Sequence, residues 1–341
     1  MPETILEVRE LKKWFAVKRS LSQVMQGERT WVKALDGVTF SVEKGEIFGL
    51  VGESGCGKTT TGKLIMKLLE PTEGKIMFQG KDATHLKAGE LARYRGQVQM
   101  IFQDPYASMN PRFRIRDVLM EPLVIHKVGE SGAERMAWAE HALEAVRLIP
   151  PQEFLERFPH MLSGGQRQRA ATARTLMLSP RLIVADEPVS MIDLSTRAEI
   201  LHTMKGLQKE LGLTYLYITH DLSTARYFTN RLAVMYLGKI AEMGVADDVV
   251  DGPLHPYTKA LIAAVCEPVS GKVGVMKEVP IKGEIPAATN IPPGCRFHPR
   301  CLYAQAPCWE EEEPALEEVT PGHLVACRLW KEIASGAARP T

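Results

Sequence analysis

The stretch GESGCGKTT, Gly52 to Thr60, restricts what this chain can fold into more than any other part of it. It follows the apolar run IFGLV and precedes TTGKLIMKLL, a run with helical character. A strand, a glycine-rich turn and a helix, in that order, are the setting of the G-x-x-x-x-G-K-[ST] phosphate loop. The glycines let successive backbone N–H groups curl around phosphate oxygens without Cβ clashes. The start of the helix adds donors and a partial positive charge. Lys58 supplies a full charge to the β- and γ-phosphates, and Thr59 offers its hydroxyl to Mg²⁺. Gly52, Glu53, Ser54, Gly55, Cys56, Gly57, Lys58, Thr59 and Thr60 are therefore the first nucleotide-binding candidates. The plain alternative is a glycine-rich turn without a ligand.

Two later stretches complete a pattern. RLIVADEP ends an apolar strand on Asp186 and Glu187. An acidic residue there can hold Mg²⁺, and a second beside it can polarise a water; alone, the pair would equally suit a solvated strand end. MLSGGQRQR, residues 161–169, is a second glycine-rich turn opening a helix, so it is a second potential phosphate site. One nucleotide does not need two such turns in one chain. The economical explanation is that the second serves a nucleotide held by another subunit, which argues for a dimer.

The surrounding pattern predicts the fold class. Short β-type runs fill the first 80 residues, helical periodicity dominates from about 115 to 178, and strands and helices then alternate. Alternation of that kind implies an α/β protein with a mainly parallel sheet covered by helices. Residues 16–33 read as a polar loop between two strands. After HPYTKALIAAV the composition turns to Pro, Gly and Cys, which predicts a domain boundary near residue 253.

Composition excludes some partners. With 42 Lys and Arg against 41 Asp and Glu, no net basic field draws the chain to nucleic acid or an anionic membrane. The opening MPETILEVRE carries no apolar segment of the signal-peptide kind, and no apolar run approaches about 18 residues. A cytosolic setting is expected, in which cysteines serve metal chemistry more often than structural disulfides.

Taken together, the ordered motifs resemble those of the ATP-binding subunit of an ABC transporter: the phosphate loop, FQDP with Gln103, LSGGQ from Leu162 to Gln166, the strand ending in Asp186 and Glu187, SMID with Asp193, and ITHD with His220. The resemblance implies a phosphate-loop NTPase (RecA-like) core, residues 1–253, with an antiparallel β subdomain and a helical signature subdomain at about 104–178. It further implies that two nucleotide domains sandwich two ATP molecules head to tail. Ser163, Gly164, Gly165 and Gln166 of one subunit would then meet the γ-phosphate held by Lys58 of the other. Glu187 would be the general base or water-polarising group, steadied by His220. Gln103, with Thr59 and Asp186, would serve Mg²⁺ and report to a membrane partner. Asp193 would lie at the dimer interface. Phe15 aligns with the aromatic that stacks on adenine, with Trp14 as the alternative register. Two departures stand out: Met191 and Ile192 replace the usual Ala-Leu, and Met161 replaces the usual Glu or Gln.

FQDPYASMNPR, PLHPYTKAL and GCRFHPRC narrow the resemblance to the dipeptide/oligopeptide importer branch, whose C-terminal extension would occupy residues 254–341. That branch implies a heterodimer with a related ATPase, a homodimer being the alternative, on two permease subunits fed by a solute-binding protein. The chain would be a peripheral subunit on the cytoplasmic face of the cell membrane. Asp104 to Arg114 are the candidate permease-gripping surface. Peptide is the default cargo, with oligosaccharide or nickel as alternatives. A soluble ABC ATPase acting on nucleic acid is the rival class, but neither a coiled-coil insertion nor a basic face is visible.

Six cysteines remain to be placed. Cys56 lies in the phosphate loop, and Cys266 reads as a buried small hydrophobe. Cys295, Cys301, Cys308 and Cys327 are spaced C-x5-C-x6-C-x18-C, without the close pair usual in structural zinc sites. Four thiolates can also hold a [4Fe–4S] cluster, whose ligand spacing varies more. The resemblance implies such a cluster; zinc, disulfides and an empty site are the other readings. Arg296, His298 and Arg300 flank these cysteines and would either offset cluster charge or form a solvated basic face.

Overall fold

The structure is a computed structural model that describes residues 3–17, 30–106, 108–264 and 279–338. Cys266 and most of the 16–33 connection lie outside the described residues. Strands β1 (Thr4–Ala16) and β2 (Trp31–Glu43) form a long antiparallel ribbon. After β3 (Ile47–Val51), β4 (Glu73–Phe78) and the short β5 (Lys81–Asp82) join that ribbon in a four-stranded sheet of order β2-β1-β4-β5.

The central sheet is built from β3, β6 (Val98–Ile101), β7 (Leu182–Asp186), β8 (Thr214–Thr219), β9 (Arg231–Tyr236) and β10 (Lys239–Val245). Its strands β9, β3, β8, β7 and β6 are mutually parallel, as the alternation of elements in the sequence implied. Every residue of β3, β7 and β8 is buried, which explains their near-continuous apolar runs. The two-residue period of a strand sends their side chains to opposite faces. Phe48, Leu50, Val184, Leu216 and Ile218 meet the antiparallel sheet with Leu6, Val8 and Phe40. Ile47, Ile183, Ala185, Tyr215 and Tyr217 meet a second core with Leu119, Leu143 and Leu155 from the helical region. Each such aliphatic side chain contributes about 1.5–3 kcal/mol by leaving water.

Helices Ile115–Ile125, Gly132–Ala145, Pro151–Leu155 and Gly164–Leu176 occupy the span between β6 and β7. Among the described residues, no helix is long and apolar enough to cross a membrane.

The C-terminal region does not stand apart. Its strands β11 (Glu317–Thr320) and β12 (His323–Val325) extend the central sheet, β12 pairing with β10. Phe297 and Cys301 join the core beneath the helices. The compositional change near residue 253 therefore does not coincide with a break in the sheet.

Candidate active site

The carboxyl ends of the parallel strands gather the polar groups. The loop after β3 is forced into shape by its glycines. Gly52 has φ +153° and a Cβ there would lie 2.3 Å from the Met235 carbonyl oxygen; Gly57 has φ +113° and a Cβ would lie 2.5 Å from that of Ala34. No other residue fits either position without moving backbone. The helix Lys58–Ile65 then begins directly behind the loop. Lys58 is buried, and its Nζ donates to the carbonyls of Gly52 (2.7 Å) and Glu53 (2.9 Å). Ser54, Gly55 and Thr59 face solvent and Thr60 is half-buried, so the cradle is open on one side. Cys56 is buried, and burial raises its thiol pKa although Lys58 opposes the shift. It is a neutral packing group there, not a reactive thiolate.

Asp186 ends β7 and accepts a hydrogen bond from Thr59 Oγ1 at 3.2 Å. Burial raises its pKa; the Thr59 bond opposes this and the neighbouring Glu187 charge adds to it. A buried carboxylate with a hydroxyl beside it and a second negative charge next door is a hard-oxygen donor set, which a divalent cation would stabilise. Glu187 follows at φ +47°, in the left-handed region, with its N–H bonded to the Ile218 carbonyl at 2.8 Å. Its two carboxylate oxygens have different partners. Gln103 Nε2 donates to Oε2 at 2.9 Å, and His220 Nδ1 lies 3.1 Å from Oε1. Gln103 follows β6 and His220 follows β8, so neighbouring strand ends bring the three together.

The signature turn is organised locally. Ser163 caps the helix Gly164–Leu176: its Oγ accepts from Gln166 N (3.2 Å), while Gln166 Oε1 accepts from Ser163 N (3.1 Å). This reciprocal capping box leaves the Ser163 hydroxyl proton free to donate. Ser163 and Gly164 are exposed. Asp193 caps the helix Leu194–Leu211 through Thr196 N (3.0 Å) and Ser195 Oγ (2.8 Å), which hold its carboxyl down at about 2.

On β1, adjacent residues point to opposite faces. Trp14 donates its indole N–H to Asp36 Oδ1 at 3.0 Å, whereas Phe15 is exposed, with the Lys13 ammonium 5.2 Å from its ring centre.

The four distal cysteines line one small cavity of about 20 Å³, together with His298, Arg328 and apolar side chains including Phe297 and Leu329. Burial pushes the thiols of Cys295 and Cys301 up to about 11 and that of Cys327 up to about 12. Among the described residues, no group of three or more His, Cys, Asp or Glu is arranged to hold a metal ion, so this geometry does not support the expected cluster. The flanking arginines also differ from expectation. Arg296 and Arg300 are buried, absent from the wall of that cavity, and turned toward Asp36, Leu237 and Glu53. Arg300 pairs with Glu53, and Arg296 pairs with Asp36 and Glu313. The neighbouring acidic run Glu310 to Glu313 shares in this pairing, since Glu311 also meets Arg328. The contacts of Arg300 and Tyr257 with Glu53 carried no local signal in the sequence because Glu53 lies more than 200 positions from either.

A parallel sheet with a phosphate-loop turn and an acidic strand end at its carboxyl edge defines a nucleoside triphosphatase of the phosphate-loop class. Residues 35–190 match the ABC transporter family, and residues 241–308 match the oligopeptide/dipeptide transporter C-terminal region. The oligopeptide transport ATP-binding protein AppF of Bacillus subtilis is 47% identical over 331 residues, spanning 96% of this chain and 98% of that protein. OppF of the same organism, also an oligopeptide transport ATP-binding protein, is 46% identical over 78% of this chain and 83% of its own length. The dimeric ATP-binding cassette MJ0796 in a post-hydrolysis state, bound to ADP and Pi, matches with TM-score 0.62 and 28% identity over 71% of this chain and 99% of that one. The chain belongs to the ABC transporter family, among its oligopeptide transport ATP-binding proteins.

Proposed function

We propose that this chain binds and hydrolyses ATP to power an importer of peptides, acting as a dimer of nucleotide domains on membrane permease subunits. The observation that carries the reading is the meeting of Lys58, the Thr59–Asp186 pair and the Gln103–Glu187–His220 trio at one sheet edge. Lys58, now satisfied by loop carbonyls, exchanges them for β/γ-phosphate oxygens. Thr59, Asp186 and Gln103 are suited to Mg²⁺, which when bound neutralises phosphate charge. Glu187 polarises a water toward the γ-phosphorus; the new P–O bond forms as the β–γ bridging bond breaks, giving ADP and phosphate. His220 and Gln103 hold the Glu187 carboxylate in place. Phe15 is freer than Trp14 to stack on adenine, because Asp36 holds the Trp14 indole.

Dimer closure follows from differential binding, since only a closed pair lets Ser163, Gly164 and Gly165 reach the γ-phosphate held by a second subunit. Shifting a population from 1:99 to 99:1 needs about 5.5 kcal/mol. Two bridged γ-phosphates with charge-assisted hydrogen bonds of about 1.5–3 kcal/mol each suffice. Exposed Met161, Met191 and Leu194 beside the signature and Asp193 support an interface there. The 104–114 surface is held for docking: Arg174 donates to the Ser108 carbonyl, the Arg167 guanidinium lies 3.3 Å from the Tyr106 ring centre, and Phe113 is exposed. We assign residues 1–253 to the nucleotide domain and 254–341 to the extension, and favour a related second ATPase as dimer partner. The subunit sits peripherally on the cytoplasmic face.

The four cysteines match a soft-metal centre in donor type and number, and among the described residues no Asp or Glu lines the cavity as a competing hard ligand. They would hold a [4Fe–4S] cluster once the cavity, now about the size of one water, widens. Brown, iron-containing protein with absorbance near 400 nm after anaerobic purification supports this; colourless protein with one zinc per chain overturns it. The ATPase reading is tested by Lys58→Ala, expected to lose nucleotide binding, and by Glu187→Gln, expected to bind ATP and accumulate as a closed dimer. Unchanged turnover in Glu187→Gln would refute the assignment.

A further inference from the structure

Every polar handle of Glu53, the residue after the first loop glycine, is engaged. Its N–H donates to Tyr257 Oη at 2.9 Å, and its carbonyl accepts from Lys58 Nζ at 2.9 Å. Its carboxylate takes the Arg300 guanidinium in a two-pronged pair, Nη1 to Oε2 at 2.6 Å and Nη2 to Oε1 at 2.9 Å. Arg300 and Tyr257 belong to the C-terminal region, 247 and 204 residues further along the chain.

We propose that Arg300 and Tyr257 are positioning residues for the ATP phosphates, acting through Glu53. The inference rests on reading Gly52–Thr59 as the phosphate cradle. A carboxylate on a residue of that cradle brings negative charge to the loop on which a triphosphate must dock. Paired fork to fork with a guanidinium, it is neutralised and fixed in direction. Tyr257 meanwhile fixes the peptide plane that enters the turn, by giving the Glu53 N–H an acceptor inside the protein.

The anchors are themselves rigid. Tyr257 is fully buried, its ring centre 4.7 Å from that of Tyr236 and 5.4 Å from that of Phe297. Arg300 lies over the same two rings, 5.7 Å from Tyr236 and 5.8 Å from Phe297. Phe297 and Arg300 both fall between Cys295 and Cys301, so the turn that carries the cysteines also carries the clamp. Arg296 in that turn adds a second tether. It donates to the Leu237 carbonyl at 2.6 Å, and the next residue, Gly238, donates its N–H to the loop carbonyl of Cys56 at 2.9 Å. The extension thereby braces the phosphate loop from two sides.

The test is a double-mutant cycle on the full chain, reading ATP affinity by calorimetry in the presence of Mg²⁺, with thermal melting alongside. Arg300→Ala leaves the Glu53 charge unpaired and is expected to weaken ATP binding by about tenfold or more. In a Glu53→Gln background the same substitution should cost no more than about threefold. Arg300→Lys, which keeps the charge but not the fork, should restore part of the loss. A role confined to holding the extension together would give equal losses in both backgrounds and would overturn the proposal. Tyr257→Phe keeps the ring packing and is expected to weaken ATP binding by about threefold. It serves if Arg300→Ala fails to fold, and unchanged affinity in Tyr257→Phe would overturn the proposal for Tyr257. Failure of the wild-type chain to bind ATP would refute the reading of the loop itself and take the proposal with it.

Discussion

Two histidine–carboxylate pairs in this chain are chemically alike and placed in opposite surroundings. His220 Nδ1 lies 3.1 Å from Glu187 Oε1, and His323 Nε2 lies 2.7 Å from Glu242 Oε1. The first pair sits at a strand end, with the histidine side chain 56% exposed and the carboxylate 16%. The second lies inside the sheet junction, 8% and 0% exposed. Glu242 also accepts the backbone N–H groups of Leu254 (2.8 Å) and His255 (3.0 Å), so it fastens both the chain entering helix Pro256–Ala264 and strand β12 to β10. The contrast teaches that the pair alone says nothing about function. Water access and spare hydrogen-bonding capacity separate a group that can act on a ligand from one that fastens the chain.

The largest expected effect falls on the open pair. Glu187→Gln should lower ATP turnover by about 10²–10⁴-fold, the usual worth of a positioned acid–base group, while melting temperature stays near wild type. Glu242→Ala should do the reverse. Removing one member of a buried pair costs about 3–5 kcal/mol, here with two backbone donors also stranded. Denaturant unfolding would read it, and any activity lost should return at low temperature where the variant is folded. A Glu242→Ala chain as stable as wild type would dissolve the contrast.

The same difference governs what the sequence could reveal. The groups of the proposed site end apolar strands: Asp186 closes LIVAD, His220 follows TYLYIT, and Gln103 stands two residues beyond VQMI. A buried run that stops at a polar residue is visible in one dimension, and so was the parallel α/β core. Glu242 sits inside KIAEMGV, where its neighbours gave no hint of burial or of partners 12 to 81 residues away. Strands β11 and β12 were equally hidden. EEVT and HLV are too short to show a period, and only pairing with β10 puts them in the central sheet. The inward turn of Arg296 and Arg300 likewise depends on three-dimensional neighbours that composition cannot supply.

Acid should separate the regions next. His255 is buried beside Glu242, with its Nδ1 accepting from Tyr257 N at 3.0 Å. Burial lowers its pKa to about 4 despite the opposing pull of Glu242 and a backbone hydrogen bond at Ala326. An unfolded histidine titrates near 6.5, so between about 6.5 and 4 the unfolded chain binds a proton that the folded chain refuses. This contribution is complete above about pH 6.5 and is lost as pH falls toward 4, about 3 kcal/mol in all. His255→Asn should flatten the stability profile across that window. A slope unchanged by the substitution would place the acid sensitivity elsewhere.

The smallest expected effect compares the histidines directly. His323→Leu removes one charge-assisted hydrogen bond from a carboxylate that keeps two backbone donors, so it should cost about 1.5–3 kcal/mol in unfolding free energy. His220→Leu removes an exposed partner at a strand end and should leave unfolding almost unchanged, because water replaces the lost donor. Its effect belongs in turnover, since Glu187 would keep Gln103 on one oxygen and lose its guide on the other. The comparison holds only if the two substitutions exchange readouts: stability for His323, rate for His220. If His323→Leu slows hydrolysis without destabilising the chain, the junction around Glu242 reaches the nucleotide site directly. The route would then run through His255 and Tyr257 to Glu53, the same backbone that the extension already holds.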